Sequence, residues 1–179
     1  MEQLKAKVPA GSVLLFEDES ELDLNPIISK TWQQRGYQTK VTSPGINKRV
    51  CIFGAVEYKE HKVTYKLAPR KTGEYFLSFL YQLLAQYKGK KIFLVLDNVS
   101  SHFTKRNKAF LEHHKGKIQF VRLPTYSPHL NPIEPFWRFF KSKVCANHFH
   151  GNRAGIIHAV HQFFWAYRNG VIPPFKFSK

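Results

Sequence analysis

The chain is short of cysteine, of acid and of long apolar runs, and each shortage excludes something. Only Cys51 and Cys145 occur among the 179 residues, and they sit in no motif. A disulfide framework is therefore excluded, and a reduced cytoplasmic or nucleoid setting is expected. No stretch approaches the roughly 18 consecutive apolar residues of a membrane span. The start Met1-Glu2-Gln3-Leu4-Lys5 does not read as a signal peptide, so no membrane partner is expected. Internal repeats and low-complexity segments are also missing. Acid is the most informative deficit: 12 Asp+Glu stand against 28 Lys+Arg, a formal charge of +16. Such a surplus favours a polyanionic partner, because each neutralised phosphate releases condensed counterions. Five of the 12 acids fall between Glu17 and Asp23, which leaves the remaining surface strongly positive.

What is present is enough for one packed domain. Aromatics make up 15% of the chain, mostly phenylalanine, and can fill a core. Val13 to Phe16 reads as a buried strand that runs into an acidic loop. Thr31 to Val41 reads as a hairpin with Arg35-Gly36-Tyr37 at its bend. Arg49 to Tyr58 and Lys62 to Leu67 read as further strands. A helix opened by Thr72 and closed by Gly89 carries Phe76, Phe79, Leu80 and Leu83 at the 3–4 spacing of one face. Then the pattern alternates: strand Lys91 to Leu96, helix Thr104 to His114, strand Lys117 to Val121, and a Pro-rich loop from Leu123 to Pro132. Two helices follow, from about Asn131 to Val144 and from Arg153 to Tyr167. An antiparallel meander followed by βα crossovers predicts an α/β fold, one mixed sheet flanked by helices. The expected division is an N-terminal extension over 1–12, the main domain over 13–147, and a C-terminal helix and tail over 148–179 packed on that domain.

Three acids occupy places where carboxylates are displayed. Asp18 follows Val13-Leu14-Leu15-Phe16-Glu17, Asp97 follows Ile92-Phe93-Leu94-Val95-Leu96, and Glu134 opens a helix after Asn131-Pro132-Ile133. If strand 91–96 lies parallel to strand 13–17, Asp18 and Asp97 become neighbours across one strand spacing of roughly 4.8 Å. The start of the next helix can bring Glu134 to the same rim, where ligands gather in α/β sheets. Each acid also has an ordinary structural reading. Asp18 sits in an acidic stretch, Asp97 precedes Asn98 and Ser100 as a turn residue would, and Asn131-x-x-Glu134 is a capping-box arrangement that also spaces Glu134 for pairing with Arg138.

Taken together, the motifs resemble the catalytic domain of the DDE transposases of the mariner superfamily, in its bacterial insertion-sequence branch. The resemblance rests on Phe16-Glu17-Asp18-Glu19-Ser20, on Trp32 with Arg35-Gly36, and on Ile52-Phe53-Gly54-Ala55. It continues with Leu94-Val95-Leu96-Asp97-Asn98 plus His102. Last comes the long run from Leu123-Pro124 through Tyr126-Ser127-Pro128 and Leu130-Asn131-Pro132-Ile133-Glu134 to Trp137, with Lys141 beyond. It implies a ribonuclease H-like fold and a site in which Asp18, Asp97 and Glu134 are catalytic and hold two Mg²⁺ ions, for which Mn²⁺ can substitute. Glu19 becomes a neighbour and not a ligand.

The implied activity is phosphodiester hydrolysis and strand transfer for cut-and-paste transposition. Double-stranded DNA at element ends and target is the implied substrate, and a homodimer in a synaptic complex the implied assembly. Family members carry an N-terminal helix-turn-helix region, and too few residues precede Val13 to form one. The chain is therefore expected to work with the product of an upstream helix-turn-helix reading frame, or to be a truncated copy. Two alternatives stand beside this: an inactive or repurposed DNA-binding protein, and a metal-dependent nuclease of the same fold.

Supporting residues follow from position. Asn98 and His102 lie just past Asp97, and His102 has two readings, contact with the scissile phosphate or a catalytic water, or a structural polar contact. Arg138 and Lys141 fall one and two helical turns beyond Glu134, and with Lys40, Lys48 and Arg49 they are candidate DNA-backbone contacts. Ile133, Phe136, Trp137, Phe140 and Val144 form the opposing apolar stripe, with Trp137 read as core. Cys145, His148 and His150 fit no standard zinc spacing.

Overall fold

The computed structural model describes residues 8–43, 45, 48–124 and 131–175. Five strands form one sheet: β1 (Val13–Asp23), β2 (Arg49–Glu57), β3 (Val63–Ala68), β4 (Ile92–Leu96) and β5 (Ile118–Arg122). Their spatial order is β3-β2-β1-β4-β5. β2 and β3 pair antiparallel, whereas β4 pairs parallel with both β1 and β5, so the sheet is mixed as expected. The helices are α1 (Gly73–Gln86), α2 (Lys105–His113), α3 (Ile133–Val144) and α4 (Arg153–Arg168), with a 3₁₀ turn over Ser100–Phe103. No described helix is long and apolar enough to cross a membrane.

Two compact units interleave along the chain. The first comprises Met1–Ser20, Cys51–Pro135 and Phe177–Lys179; the second comprises Glu21–Val50 and Phe136–Lys176. In the first, Val13, Leu15, Phe53, Ala55, Leu94 and Leu96 on one sheet face close over Phe76, Phe79, Leu80 and Leu83 of α1 and Phe110 of α2. Each such side chain removed from water stabilises the fold by about 2 kcal/mol before entropy is counted. Gly73 lets α1 start close to the 3₁₀ turn: a Cβ there would stand 2.8 Å from the Ser101 carbonyl oxygen and 2.6 Å from Thr104 Cγ2. Thr104 in turn caps α2, its hydroxyl accepting the Asn107 amide at 3.3 Å.

The second unit is held by aromatic packing between α3 and α4. Phe140 meets Phe163 edge-on at 4.9 Å, and Phe163 stacks on Tyr167 at 5.9 Å. Trp137 is buried, as its core reading requires. Ile27 is tied to the end of α3 through both backbone groups, donating to the Cys145 carbonyl at 3.0 Å and accepting from Asn147 at 2.8 Å.

Two local expectations are corrected. Glu17 to Asp23 is not a loop, because β1 continues through it to Asp23. Its outer acids are offset by charge, with Arg49 reaching Glu21 at 3.1 Å and Asp23 at 3.4 Å. Thr31 to Val41 forms no hairpin. A turn does close at Arg35-Gly36, where Gly36 adopts φ +88. The flanks make no ladder, however, because the Gln33 side chain takes the Thr39 amide and hydroxyl, both at 2.9 Å. Part of the Leu123–Pro132 loop, residues 125–130, lies outside the described residues.

Candidate active site

Register places the first two acids. β1 and β4 run parallel with Val13 opposite Ile92 and Phe16 opposite Val95. Continuing that register by two residues sets Asp18 opposite Asp97. Because side chains alternate along a strand, Asp18 shares a face with Leu14 and Phe16, while Glu17 and Glu19 share the opposite face with Leu15. Asp97 leaves β4 in a tight turn, its carboxylate accepting the Val99 amide at 3.1 Å. The side chain of Asn98 donates to the Leu123 carbonyl at 3.1 Å.

Glu134 reaches the site through Asn131. The Asn131 side-chain amide is buried and donates to the Glu17 backbone carbonyl at 2.9 Å, while its oxygen accepts from Ile133 at 3.3 Å. One side chain thus ties the residue before Asp18 to the first turn of α3, whose first acid is Glu134. Asn131 caps through Ile133, while the Glu134 amide donates to the Asn131 backbone carbonyl at 3.2 Å.

The charges of both other predicted site residues reach Asp18, but among the described residues the three carboxylates are not gathered within 4.8 Å of one another. Burial, then the charge of Glu19, and then the charges of Glu134 and Asp97 push the Asp18 carboxyl up to about 7, against a backbone hydrogen bond at Glu19 that lowers it. Like-charged groups disfavour one another's ionised forms, and here their charges add to the larger effect of burial. The acids reach Asp18 from β1, β4 and α3, three elements distant in sequence.

The opposite face of β1 holds a second cluster that sequence reasoning missed. His102 is 1% exposed, its Nε2 3.0 Å from Glu19 Oε1 and 3.8 Å from Glu17 Oε2, its Nδ1 3.4 Å from Asp97 Oδ1. Its ring packs on Phe76 with centroids 4.3 Å apart. The ring thus makes polar contacts within the protein and is enclosed by it. Burial first, and then Glu19, Asp18 and Asp97, raise the Glu17 carboxyl well above the usual range. Strand alternation was the available signal, since it turns Glu17 and Glu19 inward.

The candidate DNA contacts lie in the second unit. Lys40, Lys48 and Arg138 are exposed and Lys141 is half-buried, while Arg49 already faces Glu21 and Asp23. His150 is committed to the Val144 carbonyl at 2.6 Å, and burial pushes the Cys145 thiol up to about 11, so neither is poised to hold zinc.

With the geometry stated, comparison with known proteins is decisive about kinship. The DDE superfamily endonuclease family matches residues 13–157. The chain belongs to the DDE superfamily endonucleases. This DDE chain is also 32% identical over 136 residues to the Insertion element IS630 uncharacterized 39 kDa protein of Shigella sonnei, covering 75% of the chain but 39% of that protein. In fold it is similar to the Mos1 transposase in a paired-end complex with the left transposon end (TM-score 0.67, 18% identity, 92% of this chain and 51% of that one). It is also similar to the HTLV-2 integrase catalytic core domain in complex with magnesium (TM-score 0.56, 13% identity, 90% and 88%). The sheet is therefore the ribonuclease H-like sheet of transposase and integrase cores. The DDE chain spans well under two thirds of the IS630 protein and about half of the Mos1 chain.

Proposed function

We propose that this chain is the catalytic domain of a DNA transposase, cleaving phosphodiester bonds at element ends and joining them to target DNA for cut-and-paste transposition. One observation carries the reading: Asp18 is pushed up to about 7 by burial and by neighbouring acids that include Glu134 and Asp97. Neighbouring acids that disfavour one another's ionised forms carry a cost, and a divalent cation between the carboxylates would remove it.

The donor set fits. Three carboxylates supply only oxygen, which suits the hard cations Mg²⁺ and Mn²⁺. Asp18, Asp97 and Glu134 would hold two such ions. Bound there, they would supply Lewis acidity to the phosphate and a lowered pKa to water or a 3′-hydroxyl. The chain's own groups do the positioning. Parallel pairing of β1 with β4, and the Asn131 bond to the Glu17 carbonyl beside the start of α3, support that positioning. Lys40, Lys48, Arg49, Arg138 and Lys141 would contact the backbone of double-stranded DNA, in keeping with the +16 charge. The working assembly would be a homodimer in a synaptic complex, with terminal sequences read by a helix-turn-helix segment or by the product of an upstream reading frame.

Strand cleavage and joining of duplex DNA bearing the element's ends tests this. Wild type should cleave and join only with Mg²⁺ or Mn²⁺, and Asp97→Asn should abolish cleavage while DNA binding persists. Undiminished cleavage by Asp97→Asn would remove Asp97 from the site.

A further inference from the structure

We propose that Glu17, Glu19 and His102 form a separate site for one first-row transition dication of the zinc type, on the face of β1 opposite Asp18. The proposal does not rest on the acid trio, although His102 also lies against Asp97.

Geometry comes first. The three candidate donor atoms lie within 4.8 Å of one another. Measured from His102 Nε2, the carboxylate oxygens stand at 3.0 Å and 3.8 Å. Two ligand atoms on a tetrahedral zinc, each about 2.1 Å from the metal, stand roughly 3.4 Å apart. The observed pair of separations brackets that value.

A shortage of donors is the second argument. One imidazole nitrogen carries at most one proton, yet His102 Nε2 faces two carboxylates. Glu19 takes that contact, and both oxygens of Glu17 are buried with no hydrogen-bond partner. An enclosed carboxylate without donors is among the costliest polar arrangements in a protein. A dication bonded to all three groups satisfies each of them at once.

Third, His102 has the surroundings of a metal ligand. Ligating histidines commonly direct their other ring nitrogen at a carboxylate, which fixes tautomer and ring orientation. Here Nδ1 lies 3.4 Å from Asp97 Oδ1, and Phe76 packs against the ring. The donor chemistry selects the class of ion. Imidazole with carboxylates in a dry pocket suits Zn²⁺ and its neighbours, whereas Mg²⁺ prefers oxygen and keeps several waters. The cation would hold His102 in place, and through its Nδ1 would bear on Asp97 Oδ1.

Metal content tests this apart from any activity. The full chain, purified without chelator and exchanged into Mg²⁺ buffer, should retain about one equivalent of transition metal per chain, as tight structural sites do. After ZnCl₂ loading, X-ray absorption should show a nitrogen/oxygen shell that includes one imidazole. His102→Asn and Glu19→Ala should each lose the ion, while Asp18→Asn keeps it. Wild type that retains no metal, and binds added Zn²⁺ no more tightly than His102→Asn, overturns the proposal. So does loss of the ion in Asp18→Asn with retention in Glu19→Ala. The wild-type measurements decide the matter even if a variant fails to fold.

Discussion

Replacing Asp18 by Asn should stabilise this protein while removing a residue its proposed chemistry requires. Burial and neighbouring acids raise the Asp18 carboxyl from 3.8 to about 7. A displacement of about 3 pH units corresponds to about 4 kcal/mol. The sign follows from proton linkage: between those two values the folded protein holds a proton that the unfolded chain has released. The stabilising effect of that proton is complete below 3.8 and is lost as pH rises through about 7. In EDTA at pH 8, wild type therefore carries nearly the whole penalty and Asp18→Asn carries none. The amide oxygen can still accept from the Glu19 backbone. At 2–4 °C per kcal/mol for a chain of this size, Asp18→Asn should melt on the order of 10 °C higher. By pH 5 the gap should fall to about 2 kcal/mol, and it should close at still lower pH. Millimolar Mg²⁺ at pH 8 should raise the melting temperature of wild type but not of the variant, because a ligand that binds only the folded state stabilises it. Thermal melts followed by circular dichroism across pH, with EDTA or Mg²⁺, read all of this. A variant that melts at or below wild type at pH 8, with no response of wild type to Mg²⁺, would refute the reasoning.

Other expectations are simpler. Asn131→Ala removes a buried amide and its bonds to the Glu17 carbonyl and the Ile133 amide. It should cost about 1–3 kcal/mol in urea unfolding, since the Glu17 carbonyl loses its donor. Gly73→Ala should destabilise by about 1–3 kcal/mol because the added methyl meets the Ser101 carbonyl, even though alanine is the better helix former. Arg49→Ala should change stability by less than about 1 kcal/mol, because its ion pairs with Glu21 and Asp23 are solvent-exposed. If Lys40 and Lys48 contact the DNA backbone, replacing either should lower the slope of log affinity against log salt by about one.

Much of the fold was legible because its apolar strands are cleanly punctuated. β4 is five apolar residues between Lys91 and Asp97, and α1 carries its phenylalanines and leucines at helical spacing, so both were readable nearly to their ends. The parallel partnership of β1 with β4 followed from chain order and the crossover between them. What was hidden had a common cause: side chains that obscure the backbone's path. Acids disguised the continuation of β1 beyond Phe16, and the alternation that turns Glu17 inward applies only where the strand is known to continue. Side-chain hydrogen bonding by Gln33 replaced a ladder that turn chemistry alone suggested. The three acids stood out through motif and position, whereas the His102 cluster depends on a contact across 83 residues that no spacing rule reveals.

A crystal of the protein soaked in MnCl₂, with anomalous scattering recorded, tests the central claim most directly. The account expects manganese peaks coordinated by the carboxylates of Asp18, Asp97 and Glu134 together, and their loss in Asp97→Asn. Absence of manganese from those three side chains, or carboxylates turned away from one another, would contradict it.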